Sequence, residues 1–289
     1  MIDVLVTGGA GFIGSHLCKT LAATGRYKVT SLDNYSTGKH SRHVNGVKYI
    51  EGNTADIDSL IKCKPQKIYH LGEYSRVEKS FYDFENVCES NVTGTLNVLK
   101  FAKKCDSKLI YAGSSTKFAD DGAGPAQSPY GWTKERNTGL IKNFSSWFGL
   151  NYAIAYFYNA YGPSELSTGP YATVIGIFAE CYKAGRSLPI VSPGTQKRNF
   201  THVTDIASAL LLIGEKGVGD GYGIGNPKSY SIISVAKLFC NSHEMLPPRR
   251  GNRMDAPLVC EKTIQLGWQP RYELEDYIES LKVGENKNE

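Results

Sequence analysis

A doubly wound α/β fold, one parallel sheet with a smaller C-terminal α/β lobe behind it, is what this sequence predicts, and three observations carry the prediction. Apolar runs of strand length recur at 2–6, 28–33, 46–51, 67–71, 108–112 and 151–157. Runs that are apolar almost throughout belong to strands covered on both faces, as parallel strands are. Helical spacing fills the intervals, as with Leu17 and Leu21 after the first run, or Val87, Asn91, Gly94, Val98 and Phe101 before the fifth. Third, the 289-residue chain shows no linker, so it forms one unit or two intimately joined lobes. The predicted division places 1–155 in the sheet lobe, with 203–223 returning to it, and 156–202 with 224–289 in the second lobe.

The first element explains the rest. The strand of Ile2, Val4, Leu5 and Val6 stops at a turn in which Gly9, Gly11 and Gly14 satisfy G-x-G-x-x-G, and Gly8, Gly11 and Gly14 satisfy G-x-x-G-x-x-G. Such a turn bends sharply, lets backbone approach a pyrophosphate, and aims helix-start N–H groups at phosphate oxygens. The second strand ends in Asp33, about twenty residues on, where an acid can accept hydrogen bonds from ribose hydroxyls. Its charge repels a 2′-phosphate, which favours NAD over NADP, although Lys39 and Arg42 are the cations a 2′-phosphate would use. Strand, glycine turn, helix and acid together read as a Rossmann-type dinucleotide site. The loop Asn34, Tyr35, Ser36, Thr37, Gly38 is placed to touch the adenosine half.

Composition narrows the class. With 41% hydrophobic and 21% charged residues, and no apolar run near the ~18 residues of a membrane helix, a globular enzyme is expected. The start, Met1-Ile2-Asp3, runs straight into a strand, so no signal peptide and a cytoplasmic location are expected. A net charge of +5 is spread thinly, with Arg249-Arg250 the densest pair, which fits small anionic ligands better than nucleic acid. Seven cysteines (18, 63, 88, 105, 181, 240 and 260) lack any C-x-x-C, so reduced thiols that mostly fill core positions are expected, with no zinc or other metal site.

Further along, the third strand leads to Gly52, Asn53 and Thr54, and the fourth to Leu71, Gly72, Glu73 and Tyr74. A long helix is predicted over 84–104, with Asn91 on its packed face; a buried amide needs partners, so a hydrogen-bonding task near the cofactor is expected. The fifth strand ends at Gly113, Ser114, Ser115 and Thr116, where the chemistry of an open parallel sheet is found. Ser128 then opens a helix to 148 in which Tyr130 and Lys134 stand at i and i+4 on one face. An ammonium beside a phenol favours the phenolate, which makes Tyr130 a general base and acid. A helix over 170–183 and another from about 273 to 283 follow, His202 is expected to be structural, and Gly267-Trp268 to close the small lobe.

In combination these motifs resemble the extended short-chain dehydrogenase/reductases of the NAD-dependent epimerase/dehydratase family, in the pattern of its UDP-galactose (UDP-glucose) 4-epimerases, over nearly the whole chain. The family's Thr-Gly-x-x-Gly-x-x-Gly matches 7–14, its catalytic Ser/Thr matches Ser114, and its Tyr-x-x-x-Lys matches Tyr130 and Lys134. The resemblance implies NAD held by Gly8, Gly11, Phe12, Ile13, Gly14, Asp33, Asn34, Ser36, Thr37, Gly38, Asn53, Thr54, Leu71, Gly72, Tyr74, Asn91, Tyr130, Lys134 and Phe157. It implies a UDP-sugar held by Ser75, Ser114, Ser115, Tyr130, Asn159, Thr173, Val174, Pro189, Val191, Arg198 and Arg250, the two arginines on the diphosphate. Departures stand beside the matches: Gly52-Asn53 where the family has Gly-Asp, Arg198-Asn199 where it has Arg-Asp, Tyr156 where it has Arg, and a short interval from Ser114 to Tyr130.

The 4,6-dehydratases of the family carry Asp-Glu directly after the catalytic Ser/Thr, where this chain has Ser115-Thr116, so elimination is disfavoured. The resemblance therefore implies inversion at carbon 4 through a transient 4-keto sugar. Another nucleotide-sugar dehydratase, decarboxylase or reductase, or a non-catalytic dinucleotide-binding protein, are the alternatives. Relatives pair the helices at 84–104 and 128–148 into a four-helix bundle, and Phe101, Trp132, Phe144 and Trp147 are more aromatic surface than one sheet face covers, so a homodimer is expected.

Overall fold

The computed structural model describes residues 1–115, 127–249, 254–255 and 257–283. Along them run β1 (Ile2–Thr7), α1 (Phe12–Ala23), β2 (Tyr27–Asp33), β3 (Lys48–Glu51), α2 (Ile57–Leu60), β4 (Lys67–His70), α3 (Val77–Ser80), α4 (Phe84–Val87), α5 (Gly94–Cys105), β5 (Lys108–Ser114) and α6 (Pro129–Phe148). Then come β6 (Tyr152–Phe157), β7 (Ala160–Tyr161), α7 (Val174–Lys183), β8 (Leu188–Val191), β9 (Lys197–Asn199), β10 (Thr201–His202), α8 (Val203–Lys216), β11 (Gly219–Ile224), β12 (Ser229–Ser231), α9 (Ile232–Phe239), β13 (His243–Leu246), α10 (Glu261–Gln265) and α11 (Leu274–Val283).

Seven of these strands form one sheet in the order β11-β6-β5-β4-β1-β2-β3, parallel at every pairing. The chain leaves β1 outward to β3 and then returns to β4 on β1's other side. That reversal opens a crevice outside the carboxyl ends of β1 and β4, where Thr7 stands in register with His70. Leu17, Leu21, Ile206, Leu210 and Ile213 of α1 and α8 cover one face, and Val98, Leu99, Phe101, Ile141 and Phe144 of α5 and α6 the other. A third core, with Phe178, Leu188, Ile190, Val235, Phe239, Leu274 and Ile278, joins α7, α9 and α11 to the short strands. The fold class is as predicted.

The helix expected over 84–104 is three segments: α4, one π-helical turn at Cys88–Thr93, and α5. The wide turn carries Asn91 wholly inward, and α5 starts at Gly94, where a Cβ would collide with the Thr54 hydroxyl. The helix expected from 170 starts only at Val174, because the Thr173 hydroxyl caps it by accepting from the Gly176 amide at 3.1 Å. Trp268 closes the sheet lobe instead of the small one: it belongs to the core that α1 and α8 share with the sheet and donates Nε1–H to the Asp205 carbonyl of α8 at 3.0 Å. Phe101 and Phe144 are buried within the chain and have no apolar area left for a partner. Cys18, Cys181 and Cys260 are buried, and Cys63, Cys105 and Cys240 pack against the cores. No described helix is long and apolar enough to cross a membrane.

Candidate active site

The glycine turn is built as the spacing demands. Gly8 has φ +75° and lies against the Gly72 backbone, so a Cβ fits neither its conformation nor its space. A Cβ on Gly14 would run into the Gly8 carbonyl. The N-cap residue Gly11 has no side chain to satisfy the helix start, and Phe12, Ile13 and Gly14 line the cleft there. The orphan amides of a first helical turn are anion ligands.

Asp33, buried at the end of β2, accepts from the Ala10 amide through Oδ2 and the Tyr35 amide through Oδ1, each at 2.8 Å. These bonds aim the carboxylate at the turn and leave each oxygen a further acceptor site. Asn34 donates to the Asn53 side chain at 2.9 Å across the cleft's edge. Arg42 is committed elsewhere, donating to the carbonyls of Thr37 and Ser164 at 3.4 and 2.6 Å.

On the other side of the crevice, Ser128 caps α6 by accepting from the Gly131 amide at 3.0 Å, which sets Tyr130 in the first turn and Lys134 one turn later. Lys134 Nζ lies 6.0 Å from the Tyr130 ring centre. Ser114, Tyr130 and Lys134 all line one cleft of about 1100 Å³. The Lys134 ammonium donates to Glu73 Oε2 and, at 2.7 Å, to the Ala112 carbonyl. Both side chains of the ion pair are closed to solvent, at 7% and 1% exposure. Breaking one side of such a buried pair costs about 3–5 kcal/mol, because the remaining charge is left without a partner or water.

Glu73 Oε1 accepts from Thr95 Oγ1 at 2.6 Å, Asn137 Nδ2 at 2.8 Å and Tyr111 OH at 3.2 Å. Burial works to raise its carboxyl, but the Lys134 ammonium, the neighbouring His70 and these donors together hold it below the ordinary value. His70 is wholly buried, which pushes it down to about 4, so it is neutral at pH 7 and Lys134 alone supplies the balancing charge there. Thr95 spends its proton on Glu73, so His70 Nε2–H donates to Thr95 at 3.0 Å, and Nδ1 accepts from Thr7 at 2.7 Å.

Most other predicted residues line the same cleft: Gly8, Gly11, Ser36, Thr37, Asn53, Thr54, Leu71, Gly72, Tyr74, Ser75, Phe157, Asn159, Thr173, Val174, Pro189, Val191 and Arg198. Four do not join them. Asn91 is spent inside the protein, accepting from the Tyr74 amide at 2.7 Å and donating to the Tyr74 carbonyl and to Thr133 at 3.1 and 3.0 Å, so it shapes the loop after β4 without reaching the cleft. Gly38 lies under the lining, where a Cβ would press on Asp33 Oδ1, and Ser115 lies outside it. Arg250 lies outside the described residues, as does Thr116, while Arg249 lines the cleft and pairs with Glu78 at 3.3 Å. Asn199 is structural: its amide donates to the Asn226 carbonyl at 2.9 Å. His202 is too, capping α8 and stacking on Tyr272 at 4.2 Å. Sequence reasoning missed Glu73, Arg76, Lys79 and Tyr171; Arg76 and Lys79 face the Tyr171 ring at 5.9 and 5.0 Å.

The model of the NAD dependent epimerase/dehydratase family matches residues 4–225. The UDP-glucose 4-epimerase of Thermotoga maritima, solved with UDP-glucose, shares the fold at a TM-score of 0.90 over 100% of both chains, with 27% identity. The UDP-glucose 4-epimerase of Thermus thermophilus, solved with NAD, gives 0.85 over 96% of each chain at 25% identity. UDP-glucuronic acid decarboxylase 1 of Xenopus tropicalis is 26% identical over 302 residues, 94% of this chain and 69% of its own.

Proposed function

We propose that this chain, which belongs to the NAD dependent epimerase/dehydratase family and is an NAD-dependent enzyme of it, is a nucleotide-sugar 4-epimerase that acts on a UDP-linked hexose. The observation that carries the reading is the set of groups at the strand ends. Ser114, Tyr130 and Lys134 line one cleft, while the carboxylate bonded to Lys134, that of Glu73, is engaged by four donors and has no freedom to act as an eliminating base.

The residues present fit NAD. Gly8 and Gly14 leave the cradle a Cβ would fill, the amides of Phe12, Ile13 and Gly14 suit the pyrophosphate, and Asp33 suits the ribose hydroxyls. Asn34, Ser36, Thr37, Asn53 and Thr54 surround the adenosine end, and Leu71, Gly72, Tyr74 and Phe157 wall the cleft beyond β4 and β6. When bound, NAD supplies a reversible acceptor of hydride from the sugar carbon. Tyr130 takes the proton of the sugar hydroxyl and later returns it, Ser114 holds the same oxygen, and Lys134 orients the pair. Arg198 binds the diphosphate, with Arg250 as its second partner, while Asn159, Thr173, Val174, Pro189 and Val191 hold the nucleotide. The cleft exceeds the roughly 300–1,000 Å³ of a site for one small molecule, as a dinucleotide beside a nucleotide sugar requires.

A second reading, an acidic sugar, is favoured by Arg76. Its guanidinium lies in the cleft facing Tyr130 and Tyr171 and pairs with no carboxylate among the described residues. The oligomer we propose is a homodimer through α4, α5 and α6, supported by the exposed rings of Phe84, Trp147 and Phe148. Incubating the protein with UDP-glucose, UDP-galactose, their N-acetylamino forms and UDP-glucuronate, with no cofactor added, tests the reaction and the sugar together. The reading expects a 4-epimer from one of them; a pentose from the uronate, or a dehydrated sugar, would replace it with decarboxylation or elimination.

A further inference from the structure

Glu73 takes no part in the proton transfer just described, yet it is bonded to the ammonium beside the phenol that carries it out. Two of the three Lys134 donors are taken, by Glu73 Oε2 and by the Ala112 carbonyl at the end of β5, which leaves one for a ligand hydroxyl. We propose that Glu73 is a positioning residue of the Tyr130–Lys134 pair: by fixing the Lys134 ammonium against β5 and balancing its charge, it sets the pH at which Tyr130 exchanges its proton. This rests on the reading of Tyr130 as the acid and base of the reaction.

The physical argument is one of net charge. A lone ammonium one helical turn from a phenol stabilises the phenolate, whereas an ammonium closed in an ion pair presents a dipole whose field falls off faster. The pair is sealed: the Glu73 side chain is 1% exposed and accepts from Thr95, Asn137 and Tyr111 as well as Lys134, so its charge is neither screened by water nor lost to protonation near neutral pH. The other titratable groups facing it are few. His70 of β4 is neutral at pH 7, and the Tyr111 phenol of β5 is held protonated by burial and by Glu73 itself. From the loop after β4, Arg76 faces Tyr130, with Lys79 of α3 and Tyr171 beyond it. Arg76 is thus the cation in this group that no carboxylate balances among the described residues, and Glu73 is what keeps Lys134 from being a second.

The test titrates Tyr130 in the protein as purified, with its cofactor, from the ultraviolet absorbance of tyrosinate, taking the difference between each protein and the same protein carrying Tyr130→Phe. In Glu73→Gln the Tyr130 midpoint should fall by about 1 pH unit, and the acid limb of kcat should move the same way with little change in KM. A midpoint that stays in place in a variant melting like the parent overturns the proposal, because a merely structural carboxylate predicts that result. Should Glu73→Gln not fold, the double variant Glu73→Gln, Lys134→Met removes both charges, and its midpoint should lie only slightly above the parent's, the effect of a lost dipole; a rise of about 1 pH unit or more, the mark of a lost net positive charge, overturns the balance. The titration needs no turnover, so the two readings fail separately. A moved midpoint without activity on any UDP-sugar keeps the positioning role and removes the epimerase, and activity with an immobile midpoint does the reverse.

Discussion

Lys134 Nζ lies 6.0 Å from the centre of the Tyr130 ring, one turn along the same helix, and its ammonium is tied to the carboxylate of Glu73 in a pair closed to solvent. Tyr130→Phe deletes the hydroxyl from this arrangement with almost no change in volume. Fold and NAD content should survive while turnover falls by at least ~10²–10⁴-fold, the contribution of a proton-transfer group. Steady-state rates on the active UDP-sugar, with cofactor content read by absorbance, check this. A near-parental rate would move the acid and base elsewhere.

On the proposed reading the cofactor preference belongs to Asp33, whose carboxylate closes β2 while Arg42 donates to the carbonyls of Thr37 and Ser164. Asp33→Ala should weaken NAD far more than NADP, measured by calorimetric titration of protein stripped of cofactor. Equal losses for both would remove Asp33 from the ribose.

Substrate grip is assigned to Arg198 on β9, where β12 holds the strand in place. Arg198→Ala should raise KM for the UDP-sugar about 10–100-fold with a smaller change in kcat, as the loss of one charged hydrogen-bonding partner of ~1.5–3 kcal/mol implies. Unchanged affinity for UDP would take it out of the site.

Acid should destabilise the fold through its buried imidazoles. Burial lowers His70 and His202 from the ordinary 6.5 to about 4. At these two sites, between those values, the unfolded chain binds more protons than the folded one, so the stability the neutral imidazoles contribute is complete above about 6.5 and is lost as pH falls toward 4. For His70 the decline amounts to about 3 kcal/mol. Urea unfolding at a series of pH values should show that slope, and His70→Asn should flatten it. A His70→Asn curve parallel to the parent's would mean that His70 is not the group titrating.

How far the site could be read from sequence depends on whether distance along the chain or in space makes it. The glycine turn, Asp33, Ser114, and the Tyr130–Lys134 pair are set by local spacing at strand ends or along one helix, and the fold brings them to one cleft as their spacing implies. Glu73 was not legible, because in sequence it is an ordinary loop acid. Its partners Thr95, Tyr111, Lys134 and Asn137 stand 22, 38, 61 and 64 positions away, and only the β1-β4-β5 order brings them together. Asn91 was half legible: burial of an amide predicts partners, but the π turn that gives it the Tyr74 backbone leaves no periodic trace. Phe101 and Phe144 looked surplus because the sequence shows ring counts and not the depth of the pocket between α5, α6 and the sheet.

If hydride leaves and returns to one sugar carbon, no carbon-bound hydrogen exchanges with solvent during turnover. Letting the protein epimerise its UDP-hexose in heavy water, and reading the product by mass and proton resonance, should give a 4-epimer with no solvent deuterium on any sugar carbon; deuterium at carbon 3 or carbon 5 would show enolisation through other residues instead.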